Sequence, residues 1–183
     1  MTIKKKIKTA LVLTIATFSI NAITAQEVDK SKNYDQGFRL GLGLNAGYAT
    51  QNPYKLALGA DVRLQYDLSK RYSIILTTGY SNLFVSEADG EDLGFIPAKA
   101  GLKAFIWNDQ FYLTGEAGAA FAVTNNYDKT SFLLAPGIGY ATKYIDISLR
   151  YEQYSDFPTI KSDGTTGKGF GQAAIRLAYG FKL

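Results

Sequence analysis

Hydrophobic and polar residues alternate along most of the chain beyond its first 36 residues. In the segment YKLALGADVRLQYDL, residues 54–68, every second residue is apolar, and the residues between them are polar or small. Successive side chains of a β-strand point to opposite faces of the sheet, whereas an α-helix repeats every 3.6 residues. The alternation therefore predicts a strand with one apolar face and one polar face.

The same period of two recurs in seven further segments, so the sequence predicts eight strands. They span residues 38–48, 54–68, 72–84, 96–106, 111–121, 132–140, 145–152 and 170–183. Tight connections are expected at residues 67–71, 107–110 and 141–144, and longer polar ones at 85–94, 124–131 and 155–168. The seventh connection, around residues 51–53, is short but lies at the end of the long loops. Because tight and long connections alternate, all tight turns lie at one end of an up-and-down meander. Short turns at one end and long loops at the other are typical of outer-membrane barrels.

The alternation alone is compatible with two kinds of barrel. A secreted soluble barrel of the lipocalin kind buries its apolar face around a hydrophobic ligand, whereas a membrane barrel turns that face to lipid. Two observations favour lipid: no charge interrupts the apolar face of the regular strands, and the opposite face is rich in glycine, as a narrow lumen requires. Aromatic residues also gather near the tight turns, as at a membrane interface: Tyr66, Tyr72, Trp107, Phe111, Tyr112, Tyr140 and Tyr144.

The first 25 residues have the layout of a secretory signal peptide. Four lysines precede an uncharged stretch, and small residues close the segment at Ala22, Thr24 and Ala25. We therefore predict a signal peptide at 1–25, a short periplasmic lead-in at 26–36 and a barrel domain at 37–183. The predicted fold is all-β: an eight-stranded antiparallel up-and-down transmembrane β-barrel in the outer membrane of a Gram-negative cell.

Composition removes several classes of function. The net charge of +4 comes from the four lysines of the leader, and the remaining chain has 16 basic and 16 acidic residues. No basic stripe is left to neutralise phosphates, so we expect no nucleic-acid partner. Cysteine is absent, which excludes disulfides, thiolate metal sites and a lipid-modified cysteine.

The last nine residues, IRLAYGFKL, alternate in the same way up to the final leucine. They resemble the C-terminal recognition signal of bacterial outer-membrane proteins, in which alternating apolar residues end in an aromatic one. Tyr179 and Phe181 match that pattern, and Leu183 stands where the family most often has phenylalanine. With its strand pattern and loop asymmetry, the chain resembles small eight-stranded outer-membrane barrels such as OmpX and the transmembrane domain of OmpA. The resemblance implies a monomer surrounded by outer-membrane lipid and lipopolysaccharide, inserted by the barrel assembly machinery.

Histidine is absent from the chain. Outer-membrane phospholipases, palmitoyltransferases, lipid A deacylases and omptin proteases resemble one another in using a histidine for acid–base work. A carboxylate-only or Ser-Lys site stays conceivable, but no such pair stands out. We expect no enzymatic activity, no catalytic residues and no cofactor. The acidic segment with Glu87, Asp89, Glu91 and Asp92 lacks the EF-hand spacing, so we expect a solvated loop and no metal site.

Ten charged residues fall on the face predicted to line the lumen: Arg39, Asp61, Arg63, Lys99, Lys103, Glu116, Asp146, Arg150, Glu152 and Arg176. They form either a pathway for small ions or a plug of paired charges. Eight strands leave room for little beyond side chains, and buried charges persist only when paired, so we expect a plug. The predicted function is a structural or surface-interaction role with four displayed loops, whose partner the sequence does not name. A narrow porin and a secreted soluble barrel are the alternatives.

Overall fold

A computed structural model of the chain describes residues 36–85, 91–106, 110–124, 129–160 and 165–183. The predicted signal peptide and residues 26–35 of the lead-in lie outside these ranges, as do Glu87, Asp89 and Trp107. Among the described residues, no helix is long and apolar enough to cross a membrane.

Eight antiparallel strands form one closed barrel in which each strand pairs with its neighbours in sequence and β8 pairs with β1. The strands are β1 (Phe38–Ala49), β2 (Tyr54–Asp67), β3 (Tyr72–Val85), β4 (Leu93–Ile106), β5 (Phe111–Ala122), β6 (Thr130–Ala141), β7 (Ile145–Ile160) and β8 (Thr166–Lys182). The predicted number of strands, their antiparallel order and the barrel are confirmed. The β2–β3 and β6–β7 connections are tight, as expected.

The connection predicted at residues 155–168 is wrong in extent. β7 continues to Ile160 and β8 begins at Thr166, so strand pairing occupies most of that segment. The ladder shifts register between Tyr154 and Pro158, opposite Gly169, whose φ is 81°. The extended hairpin is also fixed to its neighbour, because the Ile160 amide donates to the Asn52 carbonyl at 2.8 Å.

The apolar face of the sheet points outward. Leucine, isoleucine and valine side chains are exposed around the barrel, among them Leu44 with 68% of its surface exposed and Leu177 with 54%. The soluble-barrel alternative required these side chains to lie inside, and it is therefore wrong. A surface of this kind is stable only when lipid covers it.

Two residues assigned to the outer face lie inside instead. Tyr54 is only 4% exposed, because the β2–β3 ladder shifts register between Tyr54 and Leu56 and reverses the direction of the first side chain. Tyr112, placed in the aromatic belt by its position near a tight turn, is 1% exposed and points into the lumen.

Aromatic side chains border the apolar surface at both ends. Near the tight turns, rings on neighbouring strands contact one another, with centroids 4.8 Å apart for Phe38 and Tyr66 and 5.0 Å apart for Phe111 and Tyr140. Exposed rings toward the loop end are Tyr48, Phe84, Phe121, Phe132 and Tyr151. Such belts are typical of the two interfaces of a membrane.

The last strand closes the barrel. Tyr179 pairs with Leu42 and Phe181 with Leu40, and the Leu183 amide donates to the Phe38 carbonyl at 2.9 Å. The alternation of the C-terminal segment is thus part of the outer apolar surface, and its backbone is hydrogen-bonded to β1.

Candidate functional site in the barrel interior

The interior of the barrel is filled by two layers of different chemistry. Charged side chains occupy the tight-turn end and the middle, and apolar rings occupy the loop end. In the structure each of the ten predicted lumen residues has an ion-pair partner, and Asp67 is added as the partner of Arg39. All ten lie on strands whose other face contacts lipid. Because successive side chains of a strand point to opposite faces, these ten point into the lumen.

Glu116 on β5 lies at the centre of the charged layer, with a fully buried side chain. One of its oxygens accepts a hydrogen bond from Arg63 Nη2 at 2.8 Å, and the other accepts one from the Thr77 hydroxyl at 2.6 Å. Arg150 Nη1 lies 3.7 Å from the carboxylate. Glu116 therefore holds β2, β3 and β7 together from across the lumen.

A second group joins β1, β2 and β8. Arg176 donates to the Asp61 carboxylate through Nε at 2.9 Å and Nη2 at 2.5 Å, a two-pronged contact that matches the guanidinium to the carboxylate. Asn45 donates to Asp61 at 2.8 Å and accepts from Arg150 Nη2 at 2.6 Å. Asn45 thus connects the Asp61 pair to the group around Glu116, a role its short uncharged side chain did not suggest from sequence.

A third group lies nearer the tight turns. Lys103 Nζ is 2.6 Å from Asp146, and the Tyr112 hydroxyl donates to the same carboxylate at 2.6 Å. The Lys103 ammonium also lies 3.8 Å from the centroid of the Tyr112 ring, within reach of a cation–π interaction. This partner set explains why Tyr112 points inward.

The boundary between the two layers is formed around Glu152. Lys99 Nζ lies 2.9 Å from one of its oxygens, and the other accepts hydrogen bonds from the Tyr154 hydroxyl at 2.8 Å and the Gln172 amide at 2.6 Å. The ring of Tyr154 belongs to the apolar layer, so this residue bonds to the charged layer with its hydroxyl and packs into the apolar layer with its ring.

Arg39 lies at the tight-turn mouth, where its side chain is 42% exposed. Its Nε contacts Asp67 at 2.7 Å, and Asp67 also accepts hydrogen bonds from Gln65 and Ser73. Asp67 was absent from the predicted set, although it lies on the same face of its strand as Asp61 and Arg63. The alternation is therefore a signal that could have identified Asp67 from the sequence.

Glycines make room for the long interior side chains. A Cβ at position 43 would meet the Arg176 guanidinium at 2.8 Å, and one at position 139 would overlap the Tyr112 ring. The glycines of the inner face thus leave space for the large arginine and tyrosine side chains that cross the lumen.

The apolar layer at the loop end was missed from sequence. Its rings stack closely, with centroids 4.8 Å apart for Tyr154 and Phe170 and 5.4 Å apart for Tyr154 and Phe157. Its larger members are Tyr54, Leu83, Leu93, Phe95, Leu133, Tyr154, Phe157 and Phe170. They lie at inward positions near the loop ends of β2, β3, β4, β6, β7 and β8. The alternating pattern predicts small or polar residues at inward positions, so it did not indicate an apolar layer there.

The bend in the β7–β8 hairpin, which carries Phe157 into this layer, depends on Gly169. An alanine there would adopt a left-handed backbone, and its Cβ would lie 2.9 Å from the carbonyl oxygens of Tyr154 and Ser155. We expect Gly169→Ala to lower the free energy of unfolding by roughly 1–2 kcal/mol. Urea titration of refolding into vesicles measures this change.

The matched control is Gly115→Ala, since a Cβ at position 115 meets nothing within 4 Å. It should leave stability unchanged or slightly raised, because it lowers the entropy of the unfolded chain. Equal loss in both variants would show that the bend at Gly169 needs no special backbone.

The space left in the interior is small. A cavity of about 20 Å³ lies where the two layers meet, beside Asn45, Lys99, Arg150 and Glu152. This is room for about one water molecule. Among the described residues, no group of three or more metal-ligating side chains comes together. The arrangement is suited to fixing the strands to one another and blocking passage.

No protein-family model matches the chain, and no curated protein sequence matches it. Solved structures do. Ail, the attachment invasion locus protein of Yersinia pestis, is 18% identical with a TM-score of 0.52, and the match covers 80% of this chain and 100% of Ail. The N-terminal β-barrel domain of Pseudomonas aeruginosa OprF is 12% identical with a TM-score of 0.55, again over 80% and 100%. Neisserial surface protein A is 16% identical with a TM-score of 0.50, over 80% and 97%.

The chain has the fold of the small eight-stranded outer-membrane barrels. The likeness is one of architecture, since identities of 12–18% carry no individual residue across. The interior of this barrel contains five buried cationic side chains paired with carboxylates, and packed aromatic rings cover these ion pairs at the loop end.

Proposed function

We propose that the chain is an integral outer-membrane protein whose sealed barrel is a scaffold for loops displayed at the cell surface. Its role is structural or surface-interactive, and it performs no catalysis. The filled interior carries this proposal: the ion pairs around Glu116 and Asp61, together with the stacked rings of Tyr154, Phe157 and Phe170, leave a cavity of about 20 Å³.

The placement in the outer membrane is supported by the outer surface. An apolar band with an aromatic belt at each end matches a bilayer with two interfaces. The predicted leader at 1–25 supports export, and the expected measurement is a mature N-terminus at Gln26. The alternating residues Tyr179, Phe181 and Leu183 support recognition by the barrel assembly machinery, followed by insertion as a monomer among lipid and lipopolysaccharide.

A surface-interaction role is supported by the loop end of the barrel. The paired strands of the β7–β8 hairpin continue past the bend at Gly169, and Ile160 is fixed to Asn52 by a backbone hydrogen bond. Ail, which shares the architecture, carries the words attachment and invasion in its name and has been solved with the heparin analogue sucrose octasulfate. A comparable external role for this chain is part of the proposal.

We expect the purified protein in planar bilayers to show at most small and unsteady currents. The physical reason is that an ion crossing the lumen must separate buried ion pairs and then pass the apolar layer, and both steps are costly. An open porin with a wide aqueous channel, measured in the same bilayer, provides the positive control.

A large and stable conductance would instead favour the narrow porin. In that case, Glu116→Gln should change the ratio of cation to anion permeability, because its carboxylate lies at the centre of the lumen. Currents that arise from leakage around the protein would not respond to Glu116→Gln, which separates the two explanations.

A further inference from the structure

An apolar groove of about 570 Å³ crosses the outer surface of the barrel over β8, β1 and β2. It is lined by Leu42, Leu44, Val62 and Leu177, and the small side chain of Ala60 leaves room between the larger ones. Each of these side chains points away from the lumen. The groove is therefore a depression in the lipid-facing surface.

One end of the groove reaches the tight-turn interface. Ile145 and Tyr179 line that end, and they are paired in the β7–β8 ladder. The Tyr144 ring stacks on the Tyr179 ring with centroids 5.8 Å apart. The exposed ammonium of Lys143 lies 5.0 Å from the centroid of Tyr144. A cation thus lies over one ring of an aromatic pair, and the other ring of that pair lines the apolar groove.

Among the described residues, the exposed charged side chains around this interface have one sign. Exposed basic side chains at the tight-turn end are Lys70, Arg71, Lys143 and Lys182. The two side-chain carboxylates found there in the described ranges, Asp67 and Asp146, are paired inside the barrel. The loop end differs, because its exposed lysines are mixed with Glu91, Asp92 and Asp156. Anionic groups are therefore favoured at the tight-turn interface and not at the opposite one.

We propose that the groove binds a phospholipid with an anionic headgroup, such as a phosphatidylglycerol. Its phosphate contacts Lys143 beside the Tyr144–Tyr179 pair, and one acyl chain lies along Ile145, Leu177 and Leu44. This inference rests on the proposed function, since it requires the barrel to lie in a bilayer. Charge selects the headgroup, and the shape of the groove selects this side of the barrel.

The test uses methyl-labelled protein in phosphocholine micelles, titrated with phosphatidylglycerol that carries a spin label on its acyl chain. Broadening of the methyl signals of Leu42, Leu44 and Leu177 reports the groove, and those of Leu102 and Leu113 report the far side of the barrel. Spin-labelled phosphatidylcholine with the same chains is the comparison lipid. We expect saturable broadening confined to the groove, at about fivefold lower phosphatidylglycerol than phosphatidylcholine.

Two pairs of variants separate the contribution of the lipid headgroup to binding from that of the acyl chain. Lys143→Glu should remove the preference for phosphatidylglycerol, whereas Lys129→Glu, an exposed lysine at the loop end, should keep it. Ala60→Trp fills the groove and should weaken broadening by both lipids. Ala100→Trp adds the same bulk at an exposed position on β4 and should change nothing at Leu42 or Leu177.

Equal broadening around the whole barrel by both lipids would overturn the inference, as would an unchanged preference in Lys143→Glu. Insertion is measured separately, by the heat-modifiable gel mobility of the wild type in vesicles. A protein that inserts but shows uniform broadening contradicts the lipid site alone. A protein that fails to insert contradicts the proposed function itself.

Discussion

Leu44→Arg should prevent most of the chain from assembling in a bilayer. Leu44 lies in the middle of β1, faces outward and is the most exposed leucine of the apolar band. An arginine at the midplane of a transmembrane barrel costs about 2–4 kcal/mol, which corresponds to roughly 30- to 1,000-fold in the equilibrium between folded and unfolded protein. The measurement is urea titration of refolding into phosphatidylcholine vesicles, with folded protein counted by heat-modifiable gel mobility.

Two controls isolate the effect of the charge. Leu44→Ala removes the same side chain without adding a charge and should cost much less. Gln51→Arg adds the same charge at an exposed position in the β1–β2 connection, outside the apolar band, and should leave assembly unchanged. Equal behaviour of Leu44→Arg and Gln51→Arg would mean that lipid does not cover the outer face.

The number of strands and the direction of most side chains could be predicted because a lipid-facing strand is a strict pattern. Outward residues in the band must be uncharged and are mostly apolar, so a charged residue identifies the inward face. The run Ile74, Ile75 and Leu76 shows the limit of this rule. Ile74 and Leu76 face outward and Ile75 is buried in the lumen, because the inner face has no equivalent requirement for polarity.

The apolar layer was missed for the same reason. Phe95, Phe157 and Phe170 occupy inward positions that the lipid pattern leaves unconstrained, and their contacts connect strands far apart in sequence. Tyr54 was placed on the wrong face because a register shift after it changes the phase of the alternation. Neither a contact between distant strands nor a register shift in a ladder can be recognised from an alternation of apolar and polar residues.

The ion pairs were predictable as a set but not as pairs. Alternation placed Asp61, Glu116 and Arg150 inside, and burial required each to have a partner of opposite charge. The choice of partner depends on the tilt and register of strands across the lumen, so Asp61 pairs with Arg176, 115 residues away in sequence. Asn45, which connects two groups of charges, had no charge to identify it.

Removing the central carboxylate should be among the most damaging changes inside the barrel. In Glu116→Ala, Arg63 loses the only carboxylate within 4 Å among the described residues, and its guanidinium stays buried. Breaking a buried ion pair by removing one partner typically costs about 3–5 kcal/mol, since the remaining charge is not compensated. We expect a loss of that size in the refolding titration described for Leu44→Arg.

The matched comparison is Arg39→Ala, which breaks the pair at the tight-turn mouth. The Arg39 side chain is 42% exposed, and Asp67 keeps its hydrogen bonds from Gln65 and Ser73, so the loss should be about 1 kcal/mol. The double variant Glu116→Ala/Arg63→Ala should be less damaged than the sum of its single changes, because no unpaired guanidinium is left at position 63. Additive losses, or equal losses in Glu116→Ala and Arg39→Ala, would mean that water reaches the centre of the lumen. The interior would then be an open aqueous path, and the narrow porin would be the better account of the protein.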